Sequence, residues 1–225
     1  MPKSFLICQF ILNNVLDPLV LLPMLGFAWS RIRGGFERPR WIGPFAMVVA
    51  FDLLQGIVFT AMAYRHLNNQ WFRHVFDPLV FLGILWILFL TQPSSRRRRW
   101  QYFSCGAVGI VAAVVGFSLN TMHFRNALFT SVMSLAFLTF CTFELRRMLL
   151  LDDAIPLERQ PVFWLYTGLL ILGSGTLIFN AISNYFLHVL PKSLILIPWV
   201  VMSCVYSIHY VFIAKVFLCR NPTSS

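Results

Sequence analysis

Residues 43–64 read GPFAMVVAFDLLQGIVFTAMAY, and the reading of that stretch decides the fold. It is an apolar run carrying one carboxylate, Asp52, and one amide, Gln55. A helix that crosses the hydrocarbon of a bilayer needs about 20 mostly apolar residues, and this run has that length. A strand of a membrane barrel would instead alternate apolar and polar residues over about ten positions, and no such alternation is present. The stretch therefore predicts a transmembrane helix with two polar groups inside it.

The same pattern recurs on both sides. Apolar runs at roughly 5–30, 73–91, 102–120, 126–145, 162–186 and 194–218 join 43–64 to make seven expected spans. The whole chain agrees: 225 residues are 58% hydrophobic and 12% charged, with a mean hydropathy of +0.73. A soluble domain is about 45–50% apolar and about 25% charged. Soluble enzymes, disordered chains, fibrous repeats and secreted disulfide scaffolds are excluded. The fold class expected is an all-α integral membrane protein, residues 1–225 forming a single domain of seven transmembrane helices. The first run is broken by Asn13, Asn14 and Asp17 and lacks a small-residue cleavage site, so it reads as a span and not as a signal peptide.

Basic residues give the orientation. Thirteen of the 18 Lys and Arg fall in connections 1–2, 3–4 and 5–6 and at the C-terminal end, among them Arg31, Arg33, Arg38, Arg40, Arg96, Arg97, Arg98, Arg99, Arg146 and Arg147. Short loops rich in Lys and Arg stay in the cytoplasm, so the N-terminus is expected outside and the C-terminus inside. Trp29, Trp41, Trp100 and Trp164 fall at the expected inner boundary and Trp71 at the outer one, where indole rings prefer to sit. The net charge of +10 is thus mostly topology and not a nucleic-acid footprint. Arg96–Arg99, Arg146 and Arg147 are expected to meet anionic headgroups of the bilayer or an acidic cytoplasmic partner.

Polar groups within the spans are the best functional clue, because a carboxylate at mid-bilayer costs about 2.5–3.5 kcal/mol even on the lenient insertion scale. Asp17 lies in the outer half of span 1, Asp52 near the middle of span 2 and Asp77 near the outer end of span 3. The segment around Asp17-Pro18 is repeated around Asp77-Pro78 sixty residues later, which suggests duplication of a helical hairpin. Asp before Pro is a good N-cap, so Asp77 is expected to cap span 3, with Arg73 one turn earlier. Asp17 is too close to Arg31 to begin a crossing helix, so span 1 is expected to continue through a kink, of the kind that lines cavities at membrane depth. Asn13, His74 and Asn180 lie at comparable outer depth, and His74 shares a helix face with Asp77. Gln55 shares a face with Asp52, and His209 on span 7 is a second deep polar site. Asp52 is either a protonated acid bonded to a neighbouring helix or a protonatable sensing or coupling site. Asp17, Asp52, Asp77, Gln55, Asn13, His74, Asn180 and His209 are the candidates for ligand or proton contact.

Reaction chemistry finds little support. Leu172-Gly173-Ser174-Gly175 with His209 invites a serine–histidine dyad, but the glycine that intramembrane serine proteases place two residues before the serine is Leu172 here. Lys215 lies at the inner boundary and not at mid-membrane, where a retinal-binding lysine belongs. No Cys-x-x-Cys, zinc helix, phosphate loop or paired catalytic acids occur, so no metal and no cofactor are expected.

Pro161-x-Phe163-Trp164, then Gly168, Gly175-Thr176, Phe179-Asn180 and Asn184, resembles the seven-helix membrane regions that precede or accompany bacterial sensor histidine kinases. The resemblance covers spans 5–7 and implies an extracytoplasmic N-terminus, a place in the inner (plasma) membrane of a bacterium and a sensing role. No kinase follows Cys219 in this chain, which implies that a signal would pass to a separate cytoplasmic protein. The expected function is a non-catalytic sensing module that binds a small or lipidic ligand in its outer half. A small transporter or proton-coupled permease, and an enzyme acting on a lipid or prenyl substrate, are the other classes left open.

Overall fold

The computed structural model describes residues 17–33, 39–65, 67–68, 70–91, 96–119, 126–150, 156–189 and 196–219. Every regular element among them is helical. A 3-10 turn, Asp17–Leu21, runs into α1 (Leu22–Ile32), followed by α2 (Ile42–Tyr64), α3 (Gln70–Leu90), α4 (Arg96–Leu119) and α5 (Ala127–Leu150). A short 3-10 turn, Leu157–Arg159, leads to α6 (Pro161–Val189), and α7 (Leu196–Leu218) closes the described chain. Five stretches are long and apolar enough to cross a membrane: Ile42–Met62, Trp71–Leu90, Trp100–Leu119, Ala127–Leu150 and Pro198–Leu218. Pro18–Ile32 and Pro161–Leu177 are shorter apolar stretches. The outward faces are apolar as well, with Met47 74% and Phe143 64% exposed, which suits helices whose surrounding solvent is lipid.

Helix ends follow local chemistry. Pro161 opens α6, where its missing N–H costs nothing. Asn126 caps α5: its Oδ1 accepts the Phe129 N–H at 3.0 Å, while its Nδ2 donates to the Ala113 carbonyl of α4 at 3.0 Å. One side chain thus satisfies an orphan amide of the helix start and ties two helices together.

The described residues form two compact units. The first comprises α1, α6, α7 and α5 from Ser134 onward. Here Gly26 brings α1 so close to α7 that a Cβ would sit 3.1 Å from the Ala214 carbonyl, and Phe27 meets Phe217 edge-on at 5.4 Å. Gly173 likewise lets α6 lie against the α5 backbone at Ser134 and Leu138. Small residues at such crossings are the usual way helices gain packing energy in lipid, where no hydrophobic force drives them together. The second unit comprises α2, α3, α4 and the first residues of α5. Its core is built on Phe81, Leu85, Ile87 and Leu88 of α3, with Phe81 edge-on to Phe129 at 5.8 Å.

Three local expectations are corrected. Asp77 does not cap a helix: α3 begins at Gln70 and carries Pro78 in its interior. Seven residues of helix precede Asp77, and at about 1.5 Å per residue this places it about 10 Å along the helix. The Asp17-Pro18 match therefore has a different local structure, since Asp17 opens a 3-10 turn. The arginine run is not a loop, because Arg96–Arg99 form the first turn of α4. Arg146 and Arg147 similarly lie inside α5, which continues to Leu150. Arginine is a good helix former, so the helices extend past the apolar runs instead of stopping where hydropathy falls. Residues 5–16 of the expected first span lie outside the described residues.

Candidate functional site

The second unit brings three of the candidates together on the antiparallel pair α2–α3. Gln55 faces inward from α2 and is 7% exposed. Its Nε2 donates to Oδ1 of Asp77 on α3. The other Asp77 oxygen faces the Arg73 Nε at 3.8 Å, one turn toward the start of α3. Arg73 also lays its guanidinium over the Phe59 ring of α2, 4.7 Å from the centroid. The pair is therefore in antiparallel register across one turn, Phe59 opposite Arg73 and Gln55 opposite Asp77. Farther along, Phe51 of α2 packs on Phe76 at 5.6 Å, and Phe76 stacks on Phe72 at 4.0 Å. These rings form an apolar flank beside the polar link.

Asp52 lies one turn before Gln55 on the same side of α2 and is half-buried. The charges acting on it are those of Asp77 and Arg73. Among the described residues no hydrogen bond and no ion pair reaches Asp52. Gln55 is only half satisfied: its Nε2 is engaged, while its Oε1 is buried without a hydrogen-bond partner. The site thus holds two carboxylates, one guanidinium and one unmatched amide oxygen between mostly apolar helices.

His74 does not join this group. Although it precedes Asp77 by one turn, it is buried toward α4, where it meets Phe117 edge-on at 5.4 Å. His209 belongs to the first unit. It is buried in the α6–α7 seam, its Nδ1 2.9 Å from the Gly168 carbonyl. Ser174, the other half of the imagined dyad, is exposed and bonds back to the Ile171 carbonyl at 3.2 Å. The histidine is committed to packing one helix against another, and the two residues do not form a catalytic pair.

Asp17, Arg96–Arg99 and Asn180 are placed by their helical backbone alone, and Asn13 lies outside the described residues. Arg146 is exposed, whereas Arg147 pairs with Glu144 at 2.9 Å one turn earlier. Lys215 lies over the Trp164 ring at 5.7 Å, and the Trp164 Nε1 donates to the Glu158 carbonyl at 2.7 Å. Beside them the Cys219 thiol approaches the same carbonyl at 3.8 Å, and burial raises its pKa above that of a free thiol.

Arg73 was expected one turn before Asp77, and the structure pairs the two; its seat over the Phe59 ring of α2 is what the sequence did not show. Its spacing of four from Asp77 is a readable signal, but that spacing fits a surface pair as well as a buried one. The buried Ser134–Thr176 contact, 2.8 Å between hydroxyls of α5 and α6, carried no signal at all. Set against known proteins, the chain matches no family model, no curated protein and no solved structure.

Proposed function

We propose that this protein is a non-catalytic sensing module of a bacterial plasma membrane, crossing it seven times with its N-terminus outside. The α2–α3 polar link is the element that responds, and the basic inner ends of the helices pass its displacement to a separate cytoplasmic partner. The observation that carries this reading is the Gln55–Asp77–Arg73 link at membrane depth with Asp52 one turn away. Ionisable groups held inside spans are expensive and are commonly retained for function. A ligand or proton that changes the charge at this link alters what holds α2 to α3. That is the differential interaction a two-state response requires. The likeness of spans 5–7 to kinase-associated sensor regions and the asymmetry of the arginines support the same assignment.

A proton-coupled permease is the second reading, favoured by two acids on neighbouring helices with a single arginine beside one of them, since intramembrane acids serve in proton relays. Proteoliposomes containing a pH-sensitive dye separate the two readings. A sensor changes the reagent accessibility of cysteines placed at positions 96–99 when the outer solution is altered, without net proton flux, and Asp77→Asn abolishes the change. Proton flux lost in the same variant selects the permease. If accessibility stays constant under every outer condition, the sensing assignment fails.

A further inference from the structure

The charge count at the α2–α3 link is incomplete. Asp77 has a guanidinium at 3.8 Å and an amide donor, but Asp52 has neither, and the Gln55 Oε1 is buried without a donor. With both acids ionised, the group carries one negative charge more than Arg73 balances. An uncompensated charge in a low-dielectric setting costs several kcal/mol. What is missing is one positive charge, and a centre that several oxygen acceptors can surround would supply it.

Asp52 and Gln55, three residues apart on one helix, present that acceptor set: two carboxylate oxygens and an amide oxygen on one face. The amide cannot simply turn over to resolve its unmatched oxygen, because its NH2 is held by Asp77. Deepening the sensing assignment on which it rests, we infer that the α2–α3 pair binds one monovalent metal cation of sodium size between the Asp52 carboxylate and the Gln55 Oε1, with Asp77 and Arg73 closing its outer side. Hard cations take oxygen ligands of this kind. A divalent ion would overcompensate and leave the buried group positive. A proton on Asp52 would cancel the same charge through a single hydrogen bond, so the two must be separated by experiment.

The full chain in nanodiscs is titrated with NaCl against choline chloride at constant pH and ionic strength, following thermal unfolding together with binding of radioactive sodium. The expected result is saturable binding of one sodium per chain and a midpoint that rises with sodium and not with choline. Both are abolished in Asp52→Asn and weakened at least tenfold in Gln55→Leu. Direct sodium binding to the unmodified chain keeps the test decisive even where a variant fails to fold. Absence of saturable binding, equal effects of sodium and choline, or sodium binding undiminished in Asp52→Asn each overturn the cation site. A response to pH alone, with none to sodium, also overturns it while leaving the sensing assignment intact. Failure of the accessibility assay with sodium binding preserved removes the sensing role and keeps the site.

Discussion

Replacing Gln55 by Leu is the most informative perturbation of the α2–α3 pair because two terms oppose each other. Leucine has similar volume and keeps the helix face filled, but it removes the donor to Asp77. A hydrogen bond to a charged group contributes about 1.5–3 kcal/mol net. In sodium-free solution the same replacement deletes the buried, unmatched Oε1, and relief of such a group is worth about 1–3 kcal/mol in the other direction. The single variant is therefore expected to stay within about 1 kcal/mol of the parent, and by itself it would mislead. A double-mutant cycle with Asp77→Ala isolates the link, since the loss of the Arg73 contact at 3.8 Å appears in both arms and cancels. The predicted coupling is about 1.5 kcal/mol or more, well above the roughly 0.6 kcal/mol average of interhelical hydrogen bonds in membranes. Reversible unfolding in mixed micelles at increasing content of dodecyl sulfate, added as its Tris salt to keep sodium out, provides the four free energies. A coupling below about 0.5 kcal/mol, the scatter of independent sites, would refute the claim that the charged bond holds the two helices together.

Glycine positions offer a contrast within the same assay. A Cβ at Gly173 would lie 2.8 Å from the Ser134 carbonyl, a backbone atom that cannot swing away, so Gly173→Ala should cost about 1–3 kcal/mol. Nothing lies within 4 Å of a Cβ at Gly56, and Gly56→Ala should be neutral or stabilise α2 by up to about 1 kcal/mol. Ser134→Ala should cost about 1 kcal/mol by the same unfolding measurement, and adding Thr176→Val should cost less than the two singles summed, because they share one bond. Burial raises the Cys219 pKa, with Lys215 and Trp164 opposing it. In a chain keeping only that cysteine, alkylation should be slower than that of a free thiol near pH 8 and should accelerate as pH rises. Rates equal to those of a free thiol would contradict the placement of Cys219 against Glu158.

Hydropathy alone settled the class of structure. Runs such as 102–120 and 126–145 need no partner to be read as helices, because in lipid each backbone polar group must be satisfied within its own segment. Composition acts locally, residue by residue, and so does helix formation. Element ends were less readable. The tetra-arginine turn belongs to α4 and Asp77 lies within α3, because a helix ends where its backbone loses partners and not where hydropathy changes. Asp-Pro is compatible both with a helix start and with a helix interior, and only the two preceding turns, Gln70 to Phe76, distinguish them.

The polar site was half visible for the same reason. Asp52, Gln55 and Asp77 could each be picked out as polar residues in an apolar run, since their cost is a property of the residue and its depth. That Gln55 donates to Asp77, that Arg73 lies over Phe59, and that His74 and His209 are turned to Phe117 and Gly168 was decided by which helix packs on which and at what rotation. Such pairings join positions 22 or 41 residues apart, and nothing in a one-dimensional pattern encodes the azimuth at which two helices meet.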